Sequence, residues 1–285
     1  AVERLSWVEL RSALLLLAMT AVVLPLLPNR TIDPLGAINP RELWLLTILI
    51  AAVSYCGYIA LKVAGPDRGP PIAGLAGGLA SSTAVTVALA RRSRQVEDPQ
   101  GLAAGVALAA MVSLIRASAL ATVLQPALGP LLIPPAGAAA LVFGLSGAWT
   151  LFRRGPAPAA GATQIGIPFE LGTVLGFGVL LAGVTFLGAW VAKTAGAGGG
   201  YLFAAISGLA DVDAITLSMA RSTEYGATAA FAATAILIAF AANALQKVVF
   251  AWSFGSRPFA LGFTLVSLLA AAAGATTLAA MTLMG

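Results

Sequence analysis

Four ionisable side chains lie inside long apolar stretches of this 285-residue sequence: Arg116, Asp211, Asp213 and Lys247. A charge within hydrocarbon costs at least about 2.5–3.5 kcal/mol, so such residues face a bundle interior or a water-filled cavity and have partners there. Carboxylates, hydroxyls and freed backbone carbonyls are the ligands that hard cations prefer. We therefore predict an ion or solute site, with Asp211 and Asp213 as candidate metal ligands. The other candidate site residues are Ser81, Ser82, Thr83, Thr86, Thr216, Arg116, Asn243 and Lys247.

The same residues also allow structural roles. In a regular helix, positions i and i+2 point about 200° apart, so Asp211 and Asp213 cannot face one ligand unless the helix is broken. Asp211 alternatively caps a helix, and Asp213 alternatively pairs with Arg116 or Lys247. Lys247 alternatively extends to the membrane interface.

The segment Ser81-Ser82-Thr83 has two alternatives to cation binding. Small residues allow close helix packing in a membrane. A helix that begins there would instead favour an anion through its free N–H groups, with Arg116 as the countercharge.

The composition places these residues in a membrane protein. Hydrophobic residues make up 59% of the chain and charged residues 9%, against about 25% charged in ordinary soluble domains. Histidine is absent and there is one cysteine, which excludes histidine metal sites, Ser-His-Asp catalysis and an intrachain disulfide. We expect no enzymatic activity, no cofactor and no nucleic-acid partner, although Mg²⁺ or another cation is a candidate ligand.

Nine apolar runs predict an all-α, polytopic helix bundle. The runs cover residues 12–28, 43–61, 72–90, 102–124, 131–152, 171–192, 201–220, 227–252 and 258–283. We divide the chain into an extra N-terminal transmembrane helix (1–39), a first repeat (40–154), a linker (155–167) and a second repeat (168–285).

Three matches in the same order indicate the internal repeat. Pro40-Arg41-Glu42-Leu43 matches Pro168-Phe169-Glu170-Leu171, and Lys62-Val63-Ala64-Gly65 matches Lys193-Thr194-Ala195-Gly196. GLASSTAVTVALAR, residues 78–91, matches GLADVDAITLSMAR, residues 208–221, with seven of fourteen positions identical. Each half thus contains a Gly-rich element followed by residues that start helices well, Ser in one half and Asp in the other.

Two topologies are compatible with this repeat. If 72–90 and 201–220 cross the membrane, the two halves are parallel; if both are broken or re-entrant, the second half is inverted. The inverted arrangement places ten Lys and Arg on the N-terminal side and four on the other, leaving out Arg116 and Lys247. The positive-inside rule favours this arrangement, with the N-terminus in the cytoplasm.

A known family has segments similar to three of this chain: SYCGYIALKVAGPDRG (54–69), GGLASSTAVTVALARRSR (77–94) and SGLADVDAITLSMAR (207–221). They resemble the membrane domain of unknown function that follows the MgtC/SapB module in bacterial MgtC/SapB-type proteins. The resemblance implies a multi-pass protein of the bacterial inner membrane, a link to magnesium homeostasis, and the MgtC/SapB module as a partner. It supplies no catalytic residues.

These observations lead to two functional expectations. The first is a transporter or channel for an ion or small solute, such as magnesium or a proton-coupled cation, with its site at the paired Ser81–Thr83 and Asp211–Asp213 breaks. The second is a regulatory or scaffold membrane subunit that transports nothing and is linked to magnesium homeostasis. We expect the lipid bilayer as the surroundings, with a homo-oligomer as a further candidate partner.

Overall fold

The computed structural model describes residues 7–64, 69–154 and 171–284. Within these ranges the chain is helical, with turns between the helices and no strand. The helices are α1 (Trp7–Ala18), α2 (Leu24–Leu26), α3 (Pro40–Ala64), α4 (Gly69–Arg92), α5 (Gln100–Leu124), α6 (Gly129–Arg154), α7 (Leu171–Ala210), α8 (Val212–Ser222), α9 (Ala229–Phe254) and α10 (Arg257–Met284). A π-helical turn, Met19–Val23, joins α1 to α2. The linker predicted at 155–167 lies outside the described residues.

The distribution of side chains is that of a membrane bundle. Eight helical segments of the described chain are long and apolar enough to cross a membrane. Large apolar side chains such as Leu141, Leu268 and Trp149 face outward, whereas Arg116 and Lys247 are buried. This arrangement suits hydrocarbon as the surrounding solvent. The prediction of an all-α, multi-pass membrane protein is confirmed.

Two of the long helices contain an interruption. In α4, Ser81 has an extended backbone, with φ −166° and ψ 102°. In α7, Gly196 has φ 61° and ψ −159°, a conformation that favours glycine because it has no Cβ. Asp211 separates α7 from α8 and is extended, with φ −158° and ψ 122°. The apolar run predicted at 201–220 therefore contains the end of one helix and most of another.

Glycines allow the first part of α4 to pack directly on α5. A Cβ on Gly74 would lie 2.1 Å from the carbonyl oxygen of Gly105, and a Cβ on Gly78 would lie 2.8 Å from Cα of Ala109. A similar contact later in the chain joins α7 to α9, where a Cβ on Gly208 would lie 2.7 Å from Cα of Ala239. Small residues at these positions bring the helix backbones close together, as membrane helix packing requires.

The α1 helix is attached to α3 by polar contacts. Lys62 forms an ion pair with the buried Glu9, and the Tyr58 hydroxyl donates to Oε1 of Glu9 over 3.3 Å. Trp44 Nε1 donates to the carbonyl oxygen of Met19 over 3.0 Å, at the π-helical turn. The N-terminal helix is thus fixed to the bundle rather than packed by apolar contact alone.

Candidate functional site

We refer to the breaks at Ser81, within α4, and at Asp211, between α7 and α8, as the two interruptions, and both are built with the same local device. Ser81 Oγ accepts a hydrogen bond from the Ala84 N–H over 3.2 Å. Asp211 Oδ1 accepts from the N–H groups of Asp213 and Ala214 over 2.8 and 2.9 Å. Each side chain is an N-cap, because it satisfies N–H groups that the new helix cannot satisfy itself. The capping role considered for Asp211 is therefore present in the structure.

The helix that ends at each interruption is capped by a side chain from a neighbouring helix. Arg116 Nη1, from α5, donates to the carbonyl oxygen of Leu79. Gln246 Nε2, from α9, donates to the carbonyl oxygen of Leu209. Leu209 and Gln246 each lie 130 positions after Leu79 and Arg116. The last carbonyls of both half-helices thus gain donors that the break would otherwise remove.

A buried ion pair connects the two halves. Arg116 Nη2 contacts Asp213 Oδ2, and the two side chains are only 7% and 10% exposed. Arg116 Nε and Asp213 Oδ1 are also buried, and neither has a hydrogen-bond partner among the described residues. The guanidinium of Arg116 therefore keeps one hydrogen-bond donor without an acceptor, and the adjoining carboxylate of Asp213 keeps one acceptor without a donor.

Both interruptions open into one cavity of about 380 Å³. Its polar and charged lining residues are Thr47, Ser54, Ser81, Ser82, Thr83, Ser113, Arg116, Thr173, Asp211, Asp213 and Asn243. The cavity lies between α3, α4, α5, α7, α8 and α9, so residues from both halves of the chain contribute to it.

The structure brings seven of the ten predicted site residues together in this cavity: Ser81, Ser82, Thr83, Arg116, Asp211, Asp213 and Asn243. The remaining three lie elsewhere. Thr86 is buried in α4, where its Oγ1 donates to the carbonyl oxygen of Ser82 over 2.8 Å. Thr216 is buried in α8, and its Oγ1 has no partner among the described residues.

Lys247 lies beside a second cavity, of about 300 Å³, between α5, α6, α9 and α10. Its side chain is buried, and its Nζ donates to Asn243 Oδ1. The interpretation that Lys247 extends to the membrane interface is therefore wrong, because the lysine points into the bundle. Asn243 lines both cavities and separates Lys247 from the Arg116–Asp213 pair.

Sequence reasoning missed four polar residues of the lining. Thr47 and Ser54 are seven positions apart, which places them on one face of α3. Ser113 precedes Arg116 by three positions and shares its face of α5. These spacings were available in the sequence, whereas Thr173 of α7 carries no comparable signal.

The two carboxylates already have partners within the protein. Asp211 Oδ1 caps α8, and Asp213 Oδ2 contacts Arg116. Within the described ranges, no group of three or more His, Cys, Asp or Glu residues is placed to hold a metal ion. A metal bound by Asp211 and Asp213 with hydroxyl ligands stays a prediction.

Comparison with known proteins identifies the family. The family described as "Domain of unknown function (DUF4010)" matches residues 48–255, a range that contains both interruptions. The chain belongs to the DUF4010 family. The match supports a membrane domain of unknown function and does not test the association with an MgtC/SapB module, which stays a prediction.

One relative of this DUF4010 chain is an uncharacterized protein of Aquifex aeolicus (strain VF5). It is 30% identical over 201 residues, which cover 68% of this chain and 86% of the relative. No solved structure gives a significant match.

Proposed function

We propose that this DUF4010 protein transports a small solute or ion across the membrane, with its binding site in the cavity between the two interruptions. The single observation that supports this most strongly is that Ser81 and Asp211 line the same cavity. Non-helical backbone at membrane depth is tolerated only where it is buried in protein or lines a water-filled cavity. Repeat transporters place their sites at such broken helices.

The proposal includes two structural repeats, α3 to α6 and α7 to α10. Equivalent features are offset by 130 positions: Ser81 with Asp211 as N-caps, and the Arg116–Leu79 contact with the Gln246–Leu209 contact. Arg116 and Gln246 lie outside the matched Gly-rich segments and differ in chemical type, so their positions add support that the sequence match does not contain. They support a repeat of three-dimensional structure.

We further propose that α4 is re-entrant. A Cβ on Gly105 would lie 2.6 Å from the Pro70 carbonyl oxygen and 2.9 Å from Leu89 Cδ1. In a straight helix, residues 19 positions apart are separated by roughly 28 Å along the axis. Pro70 and Leu89 nevertheless both lie next to Gly105. This supports a chain that turns back between them, at Ser81.

The second half contains a comparable approach, here to the first part of α7. A Cβ on Gly188 would lie 3.2 Å from Cε1 of Phe203 and 3.6 Å from Cε of Met219. Phe203 and Met219 lie eight positions before and eight positions after Asp211. This supports a second hairpin, formed by the end of α7 together with α8.

If both hairpins enter and leave on one side, seven helices cross the membrane fully: the N-terminal helix and three in each repeat. Because three is an odd number, the second repeat starts on the side opposite to the first and is inverted. The hairpins then enter from opposite sides and meet at Ser81 and Asp211. This arrangement has the ten-to-four distribution of basic residues that the positive-inside rule favours, with a cytoplasmic N-terminus in a bacterial inner membrane.

Uptake by proteoliposomes tests the proposal. We would measure labelled Mg²⁺, Na⁺, acetate and L-alanine with the wild type and with Asp213→Asn and Asp211→Asn. The matched control is Arg153→Gln, because Arg153 is exposed and stacks on Trp149 away from the cavity. We expect uptake of at least one probe that falls at least tenfold in Asp213→Asn and is retained in the control.

Uptake of none of the four probes, or equal uptake by the carboxylate variants, would contradict transport through this cavity. The second result would favour the regulatory or scaffold role linked to magnesium homeostasis, in which the Arg116–Asp213 pair only holds the two halves together. That role predicts that Asp213→Asn lowers the capture of a partner, such as an MgtC/SapB module or a second copy of the chain, without changing the uptake of any probe. A loss of stability in this variant is expected in either role.

A further inference from the structure

We infer that the cavity binds a small zwitterion of the α-amino-acid type, with its carboxylate at the start of the second half of α4 and its ammonium group at Asp213. This inference rests on the proposed function, because it names the substrate class of the same site. Its basis is that the N-cap of one interruption, Ser81, is neutral, whereas the N-cap of the other, Asp211, is a carboxylate.

The interruption in α4 provides the positive end of the site. The helix that begins at Ser82 leaves its first N–H groups without intrahelical acceptors, and its cap, Ser81, is neutral. Helix N-termini attract anions through such N–H groups. Arg116 lines the same cavity, and its Nε is buried and has no acceptor among the described residues. A carboxylate there would accept from both the helix and the guanidinium.

The interruption before α8 provides the negative end. Here Asp211 supplies its own carboxylate to the helix, so an anionic ligand has no vacant N-terminus to bind. Asp213 lines the cavity, and its Oδ1 is buried and has no donor among the described residues. A buried carboxylate oxygen without a donor is costly, and a ligand ammonium group would satisfy it.

The two free atoms are close because Arg116 and Asp213 contact each other directly through Nη2 and Oδ2. An α-amino acid carries its carboxylate and ammonium on one carbon, so a single ligand can reach both. A simple anion would satisfy only Arg116 Nε, and a simple cation would satisfy only Asp213 Oδ1. The zwitterion satisfies both atoms.

Charge balance also favours a ligand without net charge. Arg116, Asp211 and Asp213 line the cavity, and the buried Lys247 lies behind Asn243. Two acidic and two basic groups compensate one another, so a net ionic ligand would leave a buried charge uncompensated. The cavity, at about 380 Å³, is near the lower end of the range for small-molecule sites, which favours a small side chain.

The internal repeat supplies the test variant. Ser81→Asp copies the cap that the protein already uses at Asp211, and Asp and Ser are comparable N-caps. The variant is therefore expected to fold, with its own carboxylate occupying the position of the ligand carboxylate. Ser81→Asn is the matched control, since it has nearly the same size and no charge.

We would measure the binding of L-alanine, acetate, ethylamine and Mg²⁺ to the purified full chain by titration calorimetry. The expected result is that L-alanine binds at least tenfold more tightly than acetate or ethylamine. Ser81→Asp should weaken L-alanine binding at least tenfold more than Ser81→Asn does. Circular dichroism and thermal unfolding of both variants verify that the fold is retained.

Equal affinity for acetate and L-alanine, binding of Mg²⁺ alone, absence of L-alanine binding, or equal effects of the two Ser81 variants would each overturn the inference. Its failure is distinguishable from that of the proposed function. Uptake of acetate, Na⁺ or Mg²⁺ that depends on Asp213 would leave transport in place and remove the zwitterion. Uptake of no probe at all would remove transport itself.

Discussion

Replacing Arg116 with glutamine removes one partner of the ion pair that joins the two interruptions. The contact with the Leu79 carbonyl can survive this change, because Gln246 makes the equivalent contact with Leu209 in the second half. Arg116→Gln therefore tests the loss of the charge pair with little loss of helix capping.

The magnitude follows from burial. The Arg116 and Asp213 side chains are 7% and 10% exposed, so removing one leaves the other charge uncompensated inside the bundle. Breaking a buried pair in this way destabilises a protein by about 3–5 kcal/mol. We expect Arg116→Gln and Asp213→Asn each to lose about that much free energy of unfolding. The double variant leaves no unpaired charge and should lose less than either single variant.

The assay is equilibrium unfolding of the purified protein in mild detergent by titration with sodium dodecyl sulfate, followed by the fluorescence of its five tryptophans. Arg153→Gln is the control, because its guanidinium lies 4.4 Å from the ring centroid of Trp149 on the exposed surface. It should lose only about 0.5–1 kcal/mol. If the losses of the two single variants simply add in the double variant, the residues do not interact and the reasoning is refuted.

Three further predictions concern other parts of the molecule. Gly208→Ala should destabilise by about 1–3 kcal/mol, because its Cβ would lie 2.6 Å from the Ala239 carbonyl oxygen, whereas Gly262→Ala, with nothing within 4 Å, should not destabilise. Lys247→Met should lower the free energy of unfolding by about 1–3 kcal/mol, because it leaves the buried Asn243 Oδ1 without its donor and removes a charge that balances the buried carboxylates, and an increase would contradict that balance. Burial raises the pKa of Asp33, but backbone N–H groups, chiefly that of Ile38, outweigh it and lower the pKa below 3.8. The stabilising effect of Asp33 should therefore be present above pH 3.8 and be lost as the pH falls further, so the difference in stability between wild type and Asp33→Asn should shrink in acid.

The sequence predicted the membrane setting and the helical fold because both depend on composition and run length, which are local properties. It also indicated Ser81 and Asp211 as positions where helices could begin, because Ser and Asp are good N-caps. The partner of Asp213 could not be chosen between Arg116 and Lys247. That choice depends on how α5, α8 and α9 pack, and Arg116 lies 97 positions from Asp213.

Lys247 is a second residue whose surroundings could not be predicted from the sequence, because they also depend on how the helices pack. Its distance from the end of an apolar run suggested that it could reach the interface, but the direction in which α9 presents it is set by the packing of that helix against α7, α8 and α10. The polar lining of the cavity was predicted where it is concentrated in a motif, as at Ser81 to Thr83. It was missed where single hydroxyls, such as Thr47, belong to otherwise apolar helices.

The central claim is that two hairpins of opposite direction bring Ser81 and Asp211 to one cavity. Its most direct test is the accessibility of single cysteines to a membrane-impermeant thiol reagent in intact cells, in a Cys56→Ser background. The positions are Arg30, Glu97 and Glu224, which are exposed and lie between the helices. Two hairpins predict that cysteines at positions 30 and 224 label from the outside, whereas a cysteine at position 97 does not. Labelling of all three from the same side would show that both interrupted elements cross the membrane, and would contradict the account.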